Sequence, residues 1–431
     1  MKAITRRKFV QLAGAAGAVS MLPMIGCATP AARASAPRVV VVGGGFAGAT
    51  CAKYVRRYDP DIEVTLVEPN KQFVTCPGSN WVLAGLRGMD AITHGYDALR
   101  RKHGVGVVHD RVTGIDPARR VVQLAGGQTL AYDKLVVAPG IDLRWNAIDG
   151  YDEAASQIVP HAWKAGPQTM LLHDQLRAMP DGGTVIITAP GGAFRCPPGP
   201  PERASMIAHY LKTHKPRSKI LLLDAKEDFT KQALFMDGWQ QLYPGMIEWI
   251  PGSKGGALHR VDVANKAVYT ESGFTRHKAD VLNVIPPQTA GRVALDNGLA
   301  DDTGWCPVDQ GTFESKLHPD IHVIGDAAIA GAMPKSGHAA NNHGKLAAVA
   351  VVSAIRGYEI PAPSTVNTCY SLIGPNHGIT VAAVYRLKDG VLAGVEGAGG
   401  LTPRNADAAT FRREANYAAG WYTGITEDTF G

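Results

Sequence analysis

The stretch RVVVVGGGFAGATCAKYVRRYDPDIEVTLVEPN, residues 38–70, leaves little choice of fold. Residues 39–42 are an unbroken β-branched run, too short for a buried helix and apolar enough for a strand covered on both faces. Gly43, Gly45 and Gly48 then spell G-x-G-x-x-G, residues 49–57 read as a helix and 63–67 as the next strand. Glu68 ends that strand, 20 residues after Gly48. Each part has a mechanical purpose in a βαβ unit that holds a dinucleotide. The first glycine makes the turn, the second lets a pyrophosphate approach the backbone, and the third lets helix and strand pack closely. The acid accepts from a ribose hydroxyl. A lone glycine fingerprint says little, but strand, helix and acid in register are specific.

Further strands extend the unit. YDKLVVAPGI, residues 132–141, is a second buried strand ending in Ala138-Pro139-Gly140, and HPDIHVIGDAAI, residues 318–329, is a third ending in Gly325-Asp326. In two-dinucleotide flavoproteins such a late strand returns to the first domain, and its Asp meets the ribityl or pyrophosphate region of FAD. Residues 37–152 and 286–361 therefore read as one discontinuous FAD-binding domain. Between them, 153–285 reads as a second Rossmann-like domain, opened by GGTVIITAPGGAFRCPPGPPER at 182–203. Its turn is unfit for a phosphate: Pro197, Pro198, Pro200 and Pro201 lack amide protons, and Phe194 and Arg195 fill the space a pyrophosphate needs. A cysteine, Cys196, stands there instead, and the prolines fix its direction. A helix is expected over 203–212. The aromatic-containing tail, 362–431, reads as a C-terminal interface or capping domain. The fold class is thus α/β, with two Rossmann-like domains and a smaller third.

Composition excludes more than it suggests. The 431 residues carry a formal charge of +6, but residues 1–36 hold Lys2, Arg6, Arg7, Lys8, Arg33 and no acid. The remainder has 39 basic against 38 acidic residues, so no nucleic-acid partner is inferred. The paired arginines before a mild Ala/Gly-rich apolar stretch resemble a twin-arginine export signal, with cleavage expected after Ala34-Ser35-Ala36 and periplasmic location implied. Cys27 in MIGC offers a lipid anchor as the alternative. No later run reaches the ~20 apolar residues of a membrane span. The six cysteines, 27, 51, 76, 196, 306 and 369, include no C-x-x-C pair. No metal site and no haem attachment site is expected on this chain.

The strings GGGFAGATCAKY, VTCPGSN, PHAWKAG, FRCPPGPPERA, IPPQTAG, GWCPVD, VIGDAAIAGAMPKSG, NTCYS and DTFG together resemble the flavoprotein subunit of flavocytochrome c sulfide dehydrogenase, across essentially the whole chain after residue 36. The wider relatives are sulfide:quinone oxidoreductases and the disulfide-reductase flavoproteins, so a glutathione-reductase-like architecture is implied. The resemblance implies FAD, joined covalently through Cys76, although Pro77-Gly78 replace the bulkier residues usual after that cysteine. It implies that Cys196 and Cys369 form the redox-active pair beside the flavin, with Glu202 as an active-site acid, and that Lys335 approaches the flavin ring. It implies a c-type cytochrome partner subunit, usually dihaem. Hydrosulfide would attack the disulfide, leaving a persulfide and a thiolate, and two electrons would pass to FAD. Cys306 and Cys51 read as structural, and His338 and His343 receive no role. Two other readings stay open: a sulfide:quinone oxidoreductase, and a flavin electron-relay or assembly subunit without substrate chemistry.

Overall fold

Two parallel sheets carry the molecule, and each is built from short, largely apolar strands. In the computed structural model the described residues are 36–431; the twin-arginine stretch and Cys27 lie outside them. Arg38–Val42 (β1), Glu63–Val67 (β2), Gly106–Val108 (β3) and Lys134–Val137 (β4) belong to the first sheet. Thr184–Ala189 (β5), Lys219–Asp224 (β6), Ile247–Ile250 (β7) and Val281–Val284 (β8) make the second. The chain then returns, and Ile321–Val323 (β9) completes the first. The strand orders are β9-β4-β1-β2-β3 and β7-β6-β5-β8, with every pairing parallel.

The two units follow one plan. β1 lies between β2 and β4, and β5 between β6 and β8, so the chain direction across each sheet reverses at the C-terminal end of its first strand. Such a reversal opens a crevice for a ligand. Each unit also inserts a three-stranded antiparallel meander before its next parallel strand: Val112–Asp116, Val121–Leu124 and Thr129–Ala131 in the first, Leu258–Asp262, Ala267–Thr270 and Thr275–Lys278 in the second. The two crossover segments pair with each other, Ile141–Leu143 against Gln288–Ala290.

The first helix, Phe46–Tyr58 (α1), begins three residues earlier than the apolar pattern suggests, because Phe46 and Ala47 are themselves buried. A short helix, Ser79–Leu83 (α2), follows the turn after Cys76. In the second unit the helix after β5 is Gly199–His214 (α3), not 203–212. Prolines occupy its first turn, where a backbone N–H has no helical partner to lose. Gln232–Leu242 (α4) packs nearby, and Gly337–Arg356 (α5) follows the Gly325-Asp326 turn, its N-terminus capped by Ser336.

The tail is more ordered than its mixed polarity suggests. Ser364–Gly374 (β10), His377–Lys388 (β11) and Val391–Leu401 (β12) form an antiparallel sheet, followed by Ala408–Phe430 (α6). The end of α6 lies on the first unit. Lys53 Nζ donates to the carbonyls of Glu427, Asp428 and Gly431 at 3.2, 2.9 and 3.0 Å, stabilising a helix end with a cation. Phe430 packs against Phe46, Phe73 and His94, with centroids 5.9, 5.7 and 5.1 Å away. Residues 37–431 form one compact unit. Among the described residues no helix is long and apolar enough to cross a membrane.

Candidate active site

The loop after β1 opens onto a cavity of about 840 Å³. Gly43 has φ +99°, and a Cβ there would lie 2.3 Å from the carbonyl oxygen of Ala138. A Cβ on Gly48 would lie 1.9 Å from the Gly43 carbonyl, so helix and loop meet without room for a side chain. Glu68 sits under the loop: Gly44 N–H donates to its Oε2 at 2.9 Å, and Asn70 donates to Oε1 from its backbone and side chain. The cavity is lined by Gly43, Gly45, Glu68, Cys76, Ala138, Gly140, Gly325 and Asp326. Gly48 serves it from behind, through packing.

This lining fits FAD. The cleft runs over a glycine turn at a helix N-terminus, where backbone N–H groups favour a pyrophosphate. Asp326 Oδ1 is shut off from solvent with no hydrogen-bond partner, and burial pushes its carboxyl up. A hydroxyl-rich ligand chain would satisfy it. Cys76 faces the same space. Its carbonyl accepts from Ser79 N–H at 3.0 Å and Ser79 Oγ at 2.7 Å, so the Pro77-Gly78 turn holds the cysteine firmly, and its thiol donates to the Trp163 carbonyl at 3.3 Å.

Lys335 reaches the site by its backbone. Its ammonium turns away to the carbonyls of Asp326 and Ala328, 2.7 and 3.0 Å, and lies 3.8 Å from the Trp305 ring centroid. Burial brings it down to about 8. The Lys335 carbonyl, however, accepts from Cys196 N–H at 2.8 Å. The cations that line the cavity are Arg111, Lys164, Arg195 and Arg292.

Cys196 and Cys369 come from different units and meet around Glu202. Cys196 has φ +58°, a left-handed conformation costly for a residue with a Cβ, so its direction is imposed by the loop. A Cβ on Gly199 would lie 3.2 Å from the Cys196 sulfur and 2.5 Å from the Trp163 ring, so the first residue of α3 must be small. Cys369 lies mid-strand in β10, opposite Val381. Glu202, in the first turn of α3, ties the two together. Its Oε1 accepts from Leu372 N–H of β10 at 3.0 Å and from Trp81 Nε1 at 3.3 Å, and its Oε2 accepts from Asn80 Nδ2 at 3.2 Å. Both cysteines are free thiols in this structure. Burial raises both, and the charges of Cys369 and Glu202 raise Cys196 further.

Burial also pushes the Glu202 carboxyl above its ordinary 4.5, against the pull of its three N–H donors. The sign of the pH effect follows. As pH rises past 4.5 the unfolded chain ionises while folded Glu202 keeps its proton, so this group lowers stability until the raised folded value is passed. Glu202→Gln is expected to flatten that slope, as measured by denaturant unfolding at a series of pH values between 4.5 and neutrality. A slope identical to wild type would show that Glu202 titrates normally.

The residues are thus arranged as a half-buried dithiol with an acid, next to a dinucleotide cleft. The family model for the central part of the sulfide dehydrogenase (flavocytochrome c) flavoprotein chain matches residues 169–286, and that for flavocytochrome c sulphide dehydrogenase, flavin-binding, matches 361–430. The sulfide dehydrogenase (flavocytochrome c) flavoprotein chain of Chlorobaculum thiosulfatiphilum is 71% identical over 45 residues, 10% of this chain and 94% of that sequence. The chain belongs to the flavocytochrome c sulfide dehydrogenase flavoprotein family.

Residues 37–165 match the pyridine nucleotide-disulphide oxidoreductase model. The mitochondrial sulfide:quinone oxidoreductase of Dictyostelium discoideum is 24% identical over 310 residues, 68% of this chain but 65% of that protein's length. The solved sulfide:quinone oxidoreductase of Aquifex aeolicus superposes with a TM-score of 0.70 at 18% identity, covering 92% of each chain, and shows the shared fold. The family's central model spans Cys196 and Glu202, and its flavin-binding model spans Cys369.

Three functional-site residues escaped the sequence reading. Trp163 offers its carbonyl to Cys76 and to the Arg195 guanidinium. Arg203, 2% exposed, donates to Asn80 Oδ1 at 3.1 Å, Asn283 Oδ1 at 2.9 Å, and the carbonyls of His161 and Ala162 at 3.0 and 2.6 Å. Burial lowers it to about 10. One signal for it was present: a lone cation among Ala204, Met206 and Ile207 on a buried helix face. Lys231 gave no signal, since its partners lie on β10 and β11. His338, left unassigned, accepts from Thr368 N–H at 2.9 Å through Nδ1 and so supports the strand beside Cys369.

Proposed function

We propose that this chain oxidises sulfide at Cys196 and Cys369 and delivers the electrons, through FAD, to a c-type cytochrome subunit in the periplasm. The observation that carries the proposal is the Glu202 carboxylate, which joins the helix bearing Cys196's loop to the strand bearing Cys369 beside the cavity.

In the oxidised pair, hydrosulfide attacks one sulfur. The S–S bond breaks, an S–S bond to the incoming sulfur forms, and the second cysteine leaves as a thiolate. Glu202 stands where it can take or return the proton that accompanies these charge changes. The loop around Cys196 has no slack: its amide is held by Lys335, its carbonyl accepts from Gly199 N–H at 2.8 Å, and the Arg195 amide donates to Gln288 at 2.9 Å. FAD, when bound, accepts electrons in pairs and releases them singly, which suits a sulfur donor and haem acceptors. Gly43, Gly45, Glu68, Ala138, Gly140, Gly325 and Asp326 would hold it, and Cys76 would anchor it. The polysulfide or sulfane-sulfur product follows from release of the persulfide sulfur to a further hydrosulfide.

The second unit favours this reading over use of NADH. At the position of a nucleotide fingerprint, Phe194 is 5% exposed and lies under the Lys226 ammonium, 5.0 Å away. Asp224, at the end of β6 where a ribose acid would stand, is engaged by Lys226 and by Trp249 Nε1. A quinone acceptor is favoured less, because Tyr422, Ile425 and Phe430 of the tail helix are turned inward. The residues before 37 support export by the twin-arginine route.

The test is anaerobic titration of the flavin-loaded protein with sulfide, and separately with NADH, followed by flavin absorbance. Sulfide is expected to bleach the flavin and NADH is not. Bleaching by NADH alone would overturn both the substrate and the reading of residues 190–203.

A further inference from the structure

Lys231 is a buried cation that the steps above do not use. It is 7% exposed and sits at the start of α4 with φ +65°, a conformation that directs its side chain inward at a cost in backbone strain. Its Nζ donates to the Cys369 carbonyl at 2.9 Å, to Ser371 Oγ at 2.8 Å and to the Ile379 carbonyl at 3.3 Å. All three partners are neutral. No carboxylate forms an ion pair with Lys231 among the described residues, and the Phe235 ring centroid is 5.9 Å away. A buried ammonium held only by neutral acceptors is expensive, and a nearby group that ionises would relieve it. The ionisable groups whose charge acts on it are Cys369, Glu202, Cys196 and Glu414.

We propose that Lys231 is the positioning residue of the dithiol site, favouring the thiolate of Cys369 over that of Cys196. The two sulfurs see different fields. Lys231 is the largest charge acting on Cys369, and it opposes the effect of burial there. Around Cys196, which has no bond to Lys231, Cys369 and Glu202 act against ionisation first, and the cations Arg195 and then Lys231 oppose them. The fixed ammonium therefore makes the pair unequal. The consequence rests on the sulfide reading above: the sulfur leaving the disulfide is Cys369, and hydrosulfide bonds to Cys196.

The test compares Lys231→Gln, which keeps a donor but removes the charge, with Lys231→Arg, which keeps the charge. Both are made in the reduced, flavin-loaded protein, with flavin content and melting as the controls of fold. The ultraviolet thiolate absorbance is titrated with pH, and the step that vanishes in Cys369→Ser is assigned to Cys369. In Lys231→Gln that step is expected to move up by about one pH unit or more, tenfold less thiolate at a given pH, and in Lys231→Arg to stay near wild type. An unmoved step in a folded Lys231→Gln protein, or the same upward move in Lys231→Arg, would overturn the proposal. The titration uses no sulfide, so it stands or falls apart from the substrate assignment.

Discussion

Cys369→Ser is expected to retain its flavin yet lose bleaching by sulfide, with the rate of flavin reduction down by roughly 10³-fold or more. The argument is chemical. Serine cannot form the S–S bond that hydrosulfide must break, and its alkoxide is no substitute for a thiolate leaving group. Cys369 lies in β10, and the cavity is lined without it, so cofactor binding is spared. Cys196→Ser is expected to do the same, and the double variant to be no worse than either single one, because the pair acts as a unit. Stopped-flow mixing with sulfide measures all three. A flavin-relay subunit without substrate chemistry would show unchanged rates in every variant, and that result would sink the assignment of the cysteines.

The second large effect is on stability. Arg203→Met is expected to destabilise the protein by about 3 kcal/mol or more, since it strands several buried acceptors at ~1–3 kcal/mol each. Asn80 Oδ1, Asn283 Oδ1 and the Ala162 carbonyl lose their donor, and the His161 carbonyl is left with Asn283 Nδ2 alone, at 2.8 Å. The damage converges on the active site. Asn80 also serves Glu202, and Ala162, at φ +46°, leads into Trp163, whose carbonyl holds Cys76 and Arg195. Arg203→Lys is expected to recover little, because one ammonium cannot reproduce a planar fork reaching four acceptors. Denaturant unfolding gives the energy, and flavin content after dialysis reports the local damage. A loss under 1 kcal/mol would mean the acceptors find other partners.

Much of the fold is written locally. A β-branched run, a glycine turn and an acid in register are enough to set β1, α1 and β2, because a parallel strand and its crossover helix are fixed within some thirty residues. The prolines that deny the second turn its backbone donors were equally visible, since proline has no N–H wherever it is placed. The actual position of Pro200 and Pro201, in the first turn of α3, needed knowledge of which carbonyls the helix would use. The site was legible only as separate pieces. Cys196 and Cys369 stood out as cysteines in unusual strings, but the Glu202 carboxylate that joins their segments is read from Leu372 N–H, 170 positions away. Lys231 is the extreme case, for nothing within its own helix distinguishes it from a solvated lysine. Lys335 shows the converse: its position mattered, yet the contact to Cys196 is made by its carbonyl and the ammonium is spent on Asp326 and Ala328.

The packing of Phe430 has a bearing on the order of synthesis. Phe430 completes the aromatic cluster with Phe46, which follows the glycine loop, and Phe73, three residues before Cys76. Asp428 adds bonds to Tyr54, Asn341 and Lys345, all on helices behind that loop. A nascent chain could fold β1, α1 and β2 while still on the ribosome, but the floor of the cofactor cleft would lack its final support until residue 430 had emerged from the exit tunnel. Cofactor retention is thereby tied to α6, and a chain cut before that helix is expected to carry the glycine fingerprint without the aromatic support beneath its cleft.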